Sequence, residues 1–257
     1  MYDGSKLLPK SQFEKLLKLF PEPRQKKEGR KRISKQVVLT SILQVLINGV
    51  AWKKIADCGC SYVVCWRYLE ELQRRGKLHL IFKQLVKEKT NPTISAIDTT
   101  LVTSFRFRKL TGWSGKHKKI GTKISLLSDK DGYPVDVLFG KGSDRDSVFV
   151  RRHLENVAGT RIKILNLDML YTSLALRRAL RRKGIRINMQ TRRQDYVHKR
   201  GRKFRYDKKI AAVRFELERL NGWIKAFRAL RARRSTRPAL FKALVYMALI
   251  IVLIRKS

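Results

Sequence analysis

Two apolar runs that each end in an aspartate restrict the possible folds of this chain more than any other feature. The first run is Thr93-Ile94-Ser95-Ala96-Ile97-Asp98, and the second is Arg161-Ile162-Lys163-Ile164-Leu165-Asn166-Leu167-Asp168. Short apolar runs rich in β-branched residues are typical of buried strands. A third carboxylate, Glu218, lies within a long helical pattern. The sequence therefore predicts two carboxylates at strand ends and one on a helix.

Three carboxylates in this arrangement suit a two-metal site. Mg²⁺ prefers oxygen ligands and is usually held by a few carboxylates together with substrate phosphates. Two such ions about 4 Å apart can activate an attacking oxygen and stabilise the leaving oxygen. Each carboxylate alone is equally well explained as a turn residue, a helix cap or a solvated ion-pair partner. The combination carries weight because the chain has only 20 Asp and Glu residues.

The charge of the chain indicates a polyanionic partner. Lys and Arg number 60, which gives a formal net charge of +40 over 257 residues. Each phosphate that a Lys or Arg neutralises releases condensed counterions and strengthens binding. A basic DNA-binding protein without catalytic activity would have the same charge, but it would not need the carboxylates. We therefore predict DNA as the partner and favour an enzyme.

The remaining composition predicts a cytoplasmic protein without a membrane segment. Residues 1–10 lack the apolar segment of a signal peptide, and three cysteines are too few for a secreted disulfide framework. The apolar run of residues 243–254 is shorter than the roughly 20 residues that cross a bilayer, so it predicts a buried C-terminal helix. The four histidines have no ligand-like or triad-like spacing and are predicted to be surface residues or phosphate contacts: His79, His117, His153 and His198.

Residues 1–88 have a helical pattern and predict a small N-terminal domain. Ser11, Ser34 and Ser61 each precede an amphipathic or apolar stretch, which predicts three helix starts. Gly49 predicts the end of the second helix. Three short helices with tight turns are typical of a helix-turn-helix-like DNA-binding domain. A helical bundle that only packs on the main domain would have the same pattern.

Residues 89–257 predict an α/β domain. Alternating patterns around Asp98, in residues 120–126 and in residues 135–139 predict three mostly antiparallel strands, with a turn at Asp131-Gly132. The strand that ends at Asp168 is followed by a helical pattern, with Thr172 or Ser173 as its predicted cap, and by a strand at residues 185–188, which predicts a β-α-β unit. Residues 191–209 are rich in Lys and Arg and predict a basic loop.

The helical pattern around Glu218 has one continuous apolar stripe, formed by Val213, Leu217, Leu220, Ile224, Phe227 and Leu230. A neighbouring face contains Arg214, Glu218, Asn221 and Lys225, at i, i+4, i+7 and i+11. This face would bring one carboxylate and two cations toward the edge of the sheet. A solvent-exposed ladder of salt bridges would have the same pattern.

Several motifs resemble those of the DDE transposases of bacterial and archaeal insertion sequences, over nearly the whole chain. Ile97-Asp98-Thr99-Thr100-Leu101-Val102 resembles the first-Asp motif, and Asp168-Met169-Leu170-Tyr171-Thr172-Ser173 resembles the second. The most specific match is the glutamate helix, where Arg214 precedes Glu218 by four residues and Lys225 follows it by seven. Gly121-Thr122-Lys123-Ile124 and Gly142-Ser143-Asp144-Arg145-Asp146-Ser147 also resemble family segments.

This resemblance implies a ribonuclease-H-like mixed sheet flanked by helices and preceded by a small all-α helix-turn-helix-like domain. Asp98, Asp168 and Glu218 would then be the catalytic residues and would hold two Mg²⁺ ions, with Mn²⁺ as a substitute. The implied reaction is strand cleavage at transposon ends and transfer of the 3′-hydroxyl into target DNA. The predicted DNA-binding residues are Arg214, Lys225, Arg228, Trp223, Lys123 and Lys116.

The expected partner is double-stranded DNA, as terminal inverted repeats and as target, bound by a homodimer associated with a prokaryotic nucleoid. Met169-Leu170 stand where relatives usually have a basic residue and a glycine. A catalytically inactive copy, a non-enzymatic basic DNA-binding protein and a nuclease that cuts without joining therefore stay open as alternatives.

Overall fold

The computed structural model of the chain describes residues 7–23, 32–55, 59–159, 161–171, 174–190 and 206–256. Most of the predicted basic loop, residues 191–205, lies outside the described residues, as do His198 and the helix cap predicted at Thr172 or Ser173. The helices are α1 (Lys10–Leu19), α2 (Lys35–Asn48), α3 (Tyr62–Arg74), α4 (Lys77–Lys89), α5 (Asp146–Asn156), α6 (Leu174–Arg182), α7 (Lys208–Ala211), α8 (Val213–Ala226) and α9 (Pro238–Arg255). The strands are β1 (Ile94–Ser104), β2 (Gly112–Ser114), β3 (Lys119–Asp129), β4 (Pro134–Lys141), β5 (Ile164–Asn166), β6 (Arg186–Asn188) and β7 (Ala232–Arg233).

The chain divides into two compact units. The helical unit comprises Met1–Lys87, Val102–Leu110 and Trp223–Ser257, and the sheet unit comprises Glu88–Leu101 and Thr111–Gly222. The helical unit therefore combines the N-terminal helices with the C-terminal segment of the chain. The sequence pattern instead predicts a single domain boundary near residue 88, and this boundary stays a prediction.

The N-cap residues mark where the N-terminal helices begin. Ser34 is the N-cap of α2, and Ser61 caps α3 by accepting a hydrogen bond from the Val63 N–H. The helix start predicted at Ser11 is wrong, because the N-cap of α1 is Pro9. The carbonyl of Pro9 already accepts the N–H groups of Gln12 and Phe13, each at 3.0 Å, so helical hydrogen bonding begins before Ser11. A fourth helix, α4, was not among the three predicted.

Helix α9 forms the core of the helical unit. Of its 18 residues, 14 are buried, and it packs against α3 and α1. By length and composition alone α9 could cross a membrane, but 78% of it is buried inside the protein. An apolar surface all around a helix is expected when the helix is enclosed by others. The predicted buried C-terminal helix is therefore confirmed.

Gly49 and Gly76 offer a matched test of helix termination. Both adopt the left-handed conformation after a helix, with φ of 69° and 67°. A Cβ at Gly49 would lie 2.8 Å from the Cβ of Arg228, whereas a Cβ at Gly76 would meet nothing within 4 Å. We expect Gly76→Ala to cost about 1 kcal/mol from backbone strain and Gly49→Ala to cost about 1–3 kcal/mol more from overpacking. Urea unfolding measures both, and equal costs would contradict the predicted clash.

The sheet unit contains a mixed sheet with the strand order β2-β3-β1-β5-β6, and β4 also pairs with β3. Strands β3 and β4 form an antiparallel hairpin, and Gly132 in its turn has a φ of 75°. The turn predicted at Asp131-Gly132 is thus confirmed. Strands β1 and β5 are parallel, as are β5 and β6. Because α6 connects β5 to β6, the predicted β-α-β unit is also present, which confirms the predicted α/β class.

Candidate active site

Asp98 and Asp168 lie at matching positions of two neighbouring parallel chain segments. In the pairing of β1 with β5, Ala96 is opposite Asn166, and each aspartate lies two residues further along the chain. Adjacent strands are about 4.8 Å apart and side chains two residues apart point to the same face. The shared direction of the two strands therefore brings both carboxylates to one place on the sheet.

Asp98 lies inside β1 and not at its end. The sequence predicted that the strand stops at this residue, but β1 continues to Ser104. The reason is that Thr100 and Val102 are buried, so the alternating pattern persists beyond the aspartate. Asp168 does follow its strand, since β5 ends at Asn166 and a 3₁₀ helix begins at Met169.

Buried asparagines fix the register of the strands beneath the two aspartates. The Asn166 side-chain amide donates to the Ser95 carbonyl at 3.1 Å, and the Asn188 amide donates to Asn166 Oδ1 at 2.8 Å. Asn188 also exchanges hydrogen bonds of 2.9 and 2.8 Å with the backbone of Asp207, just before α7. Since buried amides are costly when unpaired, these bonds select one alignment of β1, β5 and β6.

Helix α8 contributes Arg214 and Asn221 to the two aspartates. Arg214 Nη2 is 3.6 Å from Asp168 Oδ2. The Asn221 side-chain amide donates to Asp98 Oδ2 at 2.9 Å. Two helical turns separate these residues, so one face of α8 meets both carboxylates. The sequence pattern placed Asn221 on this face but did not assign it a role. Its position three residues after Glu218 was the sequence feature that could have indicated a contact with the carboxylates.

The carboxyl group of Asp98 has a raised pKa. Burial is the main cause, and the nearby charge of Asp168 acts in the same direction. The Thr99 N–H, which bonds to this carboxylate, and the positive charges of Arg214 and Lys116 act in the opposite direction. Two neighbouring carboxylates with cations around them form a place where a further positive charge would be stabilised.

Asp98→Asn is expected to raise the free energy of unfolding at pH 7. Because the folded-state pKa of Asp98 is raised, the folded protein holds this proton more tightly than the unfolded chain. The wild type should therefore lose stability relative to the variant as the pH rises through that pKa. The difference should vanish below the ordinary aspartate pKa of about 3.9.

Urea unfolding at several pH values measures this difference. Asp131→Asn is the control, since Asp131 is an exposed aspartate in the β3–β4 turn and surface substitutions usually change stability by less than about 0.5 kcal/mol. A difference between Asp98→Asn and wild type that does not depend on pH would contradict the prediction.

Glu218 is exposed, although it lies on the face of α8 that carries Arg214 and Asn221. Among the residues that the structure describes, no group of three or more His, Cys, Asp or Glu is placed so that it could hold a metal ion. The structure thus brings Asp98 and Asp168 together with Arg214 and Asn221. The role of Glu218 as the third ligand stays a prediction.

Lys116 and Lys123, predicted to bind DNA, line the same surface groove of the sheet unit, which has a volume of about 410 Å³. Lys116 is exposed. Lys123 is half-buried, and its ammonium donates to Asp146 Oδ1 and to the Asp144 carbonyl, both at 2.7 Å. Lys123 therefore fixes the turn that leads into α5, and a contact with DNA would compete with that ion pair.

The other predicted DNA-binding residues, Trp223, Lys225 and Arg228, belong to the helical unit. Lys225 and Arg228 are exposed. Trp223 is half-buried, and Lys256 Nζ lies 5.0 Å from the centroid of its ring, a cation–π contact. Their proposed contacts with DNA stay predictions.

The interpretation of His153 as a surface residue or phosphate contact is wrong. His153 is fully buried, and its Nδ1 is 2.8 Å from Asp136 Oδ2. Apolar residues lie near His153 on the same helix. The position of a single histidine in the sequence, however, does not distinguish a buried site from an exposed one. His117 is exposed, and His79 is half-buried with Nδ1 3.2 Å from the Tyr246 hydroxyl.

This chain is similar to a curated protein from an insertion element. The insertion element IS402 uncharacterized 16.2 kDa protein of Burkholderia cepacia is 36% identical to this chain over 90 residues. The match covers 32% of this chain and 61% of that protein. The chain therefore spans less than two thirds of the length of this relative.

Among solved structures, the cryo-EM structure of the piggyBac transposase synaptic complex with hairpin DNA is similar to this chain. The TM-score is 0.55 at 12% sequence identity, over 100% of this chain and 75% of that chain. At such low identity the similarity concerns the fold alone. This similarity confirms the predicted ribonuclease-H-like fold class.

Two family profiles match the chain. The family described as a putative transposase of the IS4/5 family matches residues 8–82. The family described as the transposase DDE domain matches residues 89–253, which is more than half of the chain. The predicted resemblance is thus confirmed, and the chain belongs to the transposase DDE domain family.

Proposed function

We propose that this protein is a DNA transposase that cleaves DNA at the ends of a mobile element and joins the freed 3′-hydroxyl to target DNA. The observation that carries this proposal is the convergence of Asp98 and Asp168 at matching positions of β1 and the segment after β5. Membership of the transposase DDE domain family supports the same reaction class.

The chemistry of the donor set suits a hard divalent cation. Asp98 and Asp168 are half-buried, and Asn221 Oδ1 is a buried oxygen with no hydrogen-bond partner among the described residues. Oxygen donors of this kind are those that Mg²⁺ prefers. In this proposal Asp98, Asp168 and Glu218 would hold two Mg²⁺ or Mn²⁺ ions, which would supply Lewis-acid activation of the attacking oxygen and charge stabilisation of the leaving oxygen.

The protein's own side chains would orient the DNA around these carboxylates. Arg214, which is 3.6 Å from Asp168 and one third exposed, can turn its remaining N–H donors toward a phosphate. Lys116 is an exposed cation whose charge already acts on Asp98. Asn221 would hold the Asp98 carboxylate in one orientation through its 2.9 Å hydrogen bond. We infer that Lys123, Trp223, Lys225 and Arg228 also contact DNA.

The proposed substrate is double-stranded DNA, first as terminal inverted repeats and then as target. The relative from Burkholderia cepacia is named for an insertion element, and the piggyBac structure is a synaptic complex with hairpin DNA. Because two transposon ends must be held together before joining, we propose that a homodimer forms on the DNA.

The test is to incubate the purified protein with duplexes that carry the inverted repeats flanking its gene, with Mg²⁺, with Mn²⁺ or with EDTA. The proposal predicts nicked ends and joined products only when a divalent metal is present. Cleavage without joining would indicate a nuclease. DNA binding with no metal-dependent product would contradict the proposed activity and would leave a basic DNA-binding protein or an inactive copy.

A further inference from the structure

A chain of hydrogen bonds runs through the interior of the sheet unit from α5 to both aspartate-bearing segments. His153 Nδ1 is 2.8 Å from Asp136 Oδ2, and His153 Nε2 is 3.0 Å from Ser125 Oγ. The Thr99 hydroxyl donates to Ser125 Oγ at 3.3 Å, and Thr99 Oγ1 is 3.2 Å from the Tyr171 hydroxyl. Helix α5, strands β4, β3 and β1, and the turn after β5 each contribute one side chain.

A single direction of donation satisfies every group in this chain. The Thr99 hydroxyl donates to Ser125, so Thr99 Oγ1 accepts from the Tyr171 hydroxyl. Ser125 can then donate its own proton to His153 Nε2. A proton on His153 Nδ1 then donates to the Asp136 carboxylate, which also accepts from the Asn156 amide at 3.1 Å.

The chain of hydrogen bonds reaches both aspartates through backbone groups. The Thr99 N–H donates to the Asp98 carboxylate. The Tyr171 N–H donates to the Asp168 carbonyl at 3.0 Å, which closes the turn after this residue. Thr99 and Tyr171 therefore each hold one aspartate with a main-chain N–H, and their hydroxyl groups hold each other.

The burial of this series of hydrogen-bonded side chains argues for a role beyond packing. Asp136, Ser125 and His153 are each 1% exposed or less, and Tyr171 is 4% exposed. Burying a carboxylate, an imidazole and hydroxyl groups is costly unless every group is paired, and apolar side chains of similar volume would fill the space without that requirement. What the polar chain provides is a fixed geometry, because directional bonds tolerate little displacement.

We propose that His153 is a positioning residue that, through Ser125, Thr99 and Tyr171, sets the separation of the Asp98 and Asp168 carboxylates for a divalent metal ion. This inference depends on the metal site in the proposed function. Residues that orient metal ligands without touching the metal commonly change metal affinity by about 10- to 100-fold when removed. His153 would act at a greater distance than such residues usually do, so we expect the low end of this range.

The test is Mn²⁺ titration of the DNA-free protein, with free Mn²⁺ followed by electron paramagnetic resonance. Tyr171→Phe removes only the terminal hydroxyl, and Ser125→Ala interrupts the chain next to His153. Each is expected to weaken Mn²⁺ binding by about 10-fold. The variant that combines both substitutions should bind Mn²⁺ no more weakly than whichever single variant has the lower affinity. The reason is that both substitutions interrupt the same series of hydrogen bonds.

Asn156→Ala is the matched control. It removes a separate hydrogen bond to Asp136 Oδ2 and leaves the hydrogen bonds from His153 to Thr99 and Tyr171 intact, so Mn²⁺ affinity should stay within about twofold, well below the effect of interrupting those hydrogen bonds. Urea unfolding of every variant accompanies the titration. A fall in Mn²⁺ affinity that simply follows the loss of stability, and that Asn156→Ala shares, would overturn the inference.

Asp98→Asn separates failure of this inference from failure of the proposed function. If Asp98→Asn abolishes Mn²⁺ binding while folded Tyr171→Phe binds like wild type, the positioning role is wrong and the metal site stands. If Asp98→Asn leaves Mn²⁺ binding unchanged, the metal site itself is wrong and the inference falls with it.

Discussion

Glu218→Gln is expected to abolish metal-dependent cleavage and joining, with a loss of at least about 10³-fold, or about 4 kcal/mol of transition-state stabilisation. Glu218 lies between Arg214 and Asn221 on one face of α8, and those two residues contact Asp168 and Asp98. Its exposed carboxylate is thus the one on this face that can supply a third anionic ligand. The amide of the variant keeps the shape of the side chain but removes the charge that a divalent cation requires.

The matched control is Glu216→Gln, the same chemical change two residues earlier on α8. Glu216 makes a surface ion pair of 3.2 Å with Arg219, and such pairs contribute about 0–1 kcal/mol. This variant should therefore retain cleavage within about threefold. Asp98→Asn and Asp168→Asn should lose activity as completely as Glu218→Gln, while all three bind inverted-repeat DNA.

A different pattern of activity among these three variants would show which of the proposed metal ligands is wrong. If both aspartate variants are inactive and Glu218→Gln is active, the third ligand is another group and the proposed role of Glu218 is wrong. If all three variants cleave at the wild-type rate, the proposed metal site is wrong as a whole. Quantitative gel assays of nicked and joined products, at saturating Mg²⁺, distinguish these outcomes.

The two strand-forming runs that carry Asp98 and Asp168 could be predicted because they follow from local patterns, although β1 continues past Asp98 to Ser104. Two apolar runs predicted two strands, and parallel pairing then places the residues that follow at one location. The contact of Asn221 with Asp98 could not be predicted in the same way, because it joins residues 123 positions apart in the chain. A helical face shows which residues share a direction, and only the packing of α8 determines which of them meet the sheet.

The buried polar chain around His153 shows the same limit. Its members come from five separate elements, and each hydroxyl or imidazole group would be unremarkable at the surface. Hydrophobic periodicity identifies buried apolar positions but gives no signal for polar groups that are buried because they are paired. The sequence pattern therefore led to a surface interpretation of His153, and the tertiary structure corrects it.

The composition of the helical unit also lies beyond what local sequence patterns can predict. Apolar α9 was expected to be buried, but nothing in its composition shows which helices enclose it. The structure places it with α1 and α3, and residues 102–110 and 223–237 join the same unit. Strand β7 has only two residues, Ala232 and Arg233, and pairs with the last residues of β1. An element of this length has no pattern that could predict it.

Arg233 holds this part of the helical unit together. Its side chain is fully buried, and its guanidinium donates to four backbone carbonyls at 3.0–3.2 Å, those of Lys109, Leu110, Ser235 and Thr236. The rings of Phe107 and Phe241 lie 5.3 and 5.6 Å from its central carbon. Leu110, one of the four acceptors, has a φ of 62°, a conformation that a residue with a side chain keeps only when its surroundings hold it.

Arg233→Ala is therefore expected to destabilise the protein by about 3–5 kcal/mol in urea unfolding, because four partly buried carbonyls lose their donor and the removal of a fully buried side chain leaves a large cavity. Arg234→Ala, a change at the exposed neighbour, should stay within about 0.5 kcal/mol. Arg233→Lys should recover little of the lost stability, since one ammonium group cannot reach carbonyls arranged around a planar guanidinium. Near wild-type stability of Arg233→Lys would show that the charge alone matters and that the fourfold hydrogen bonding does not.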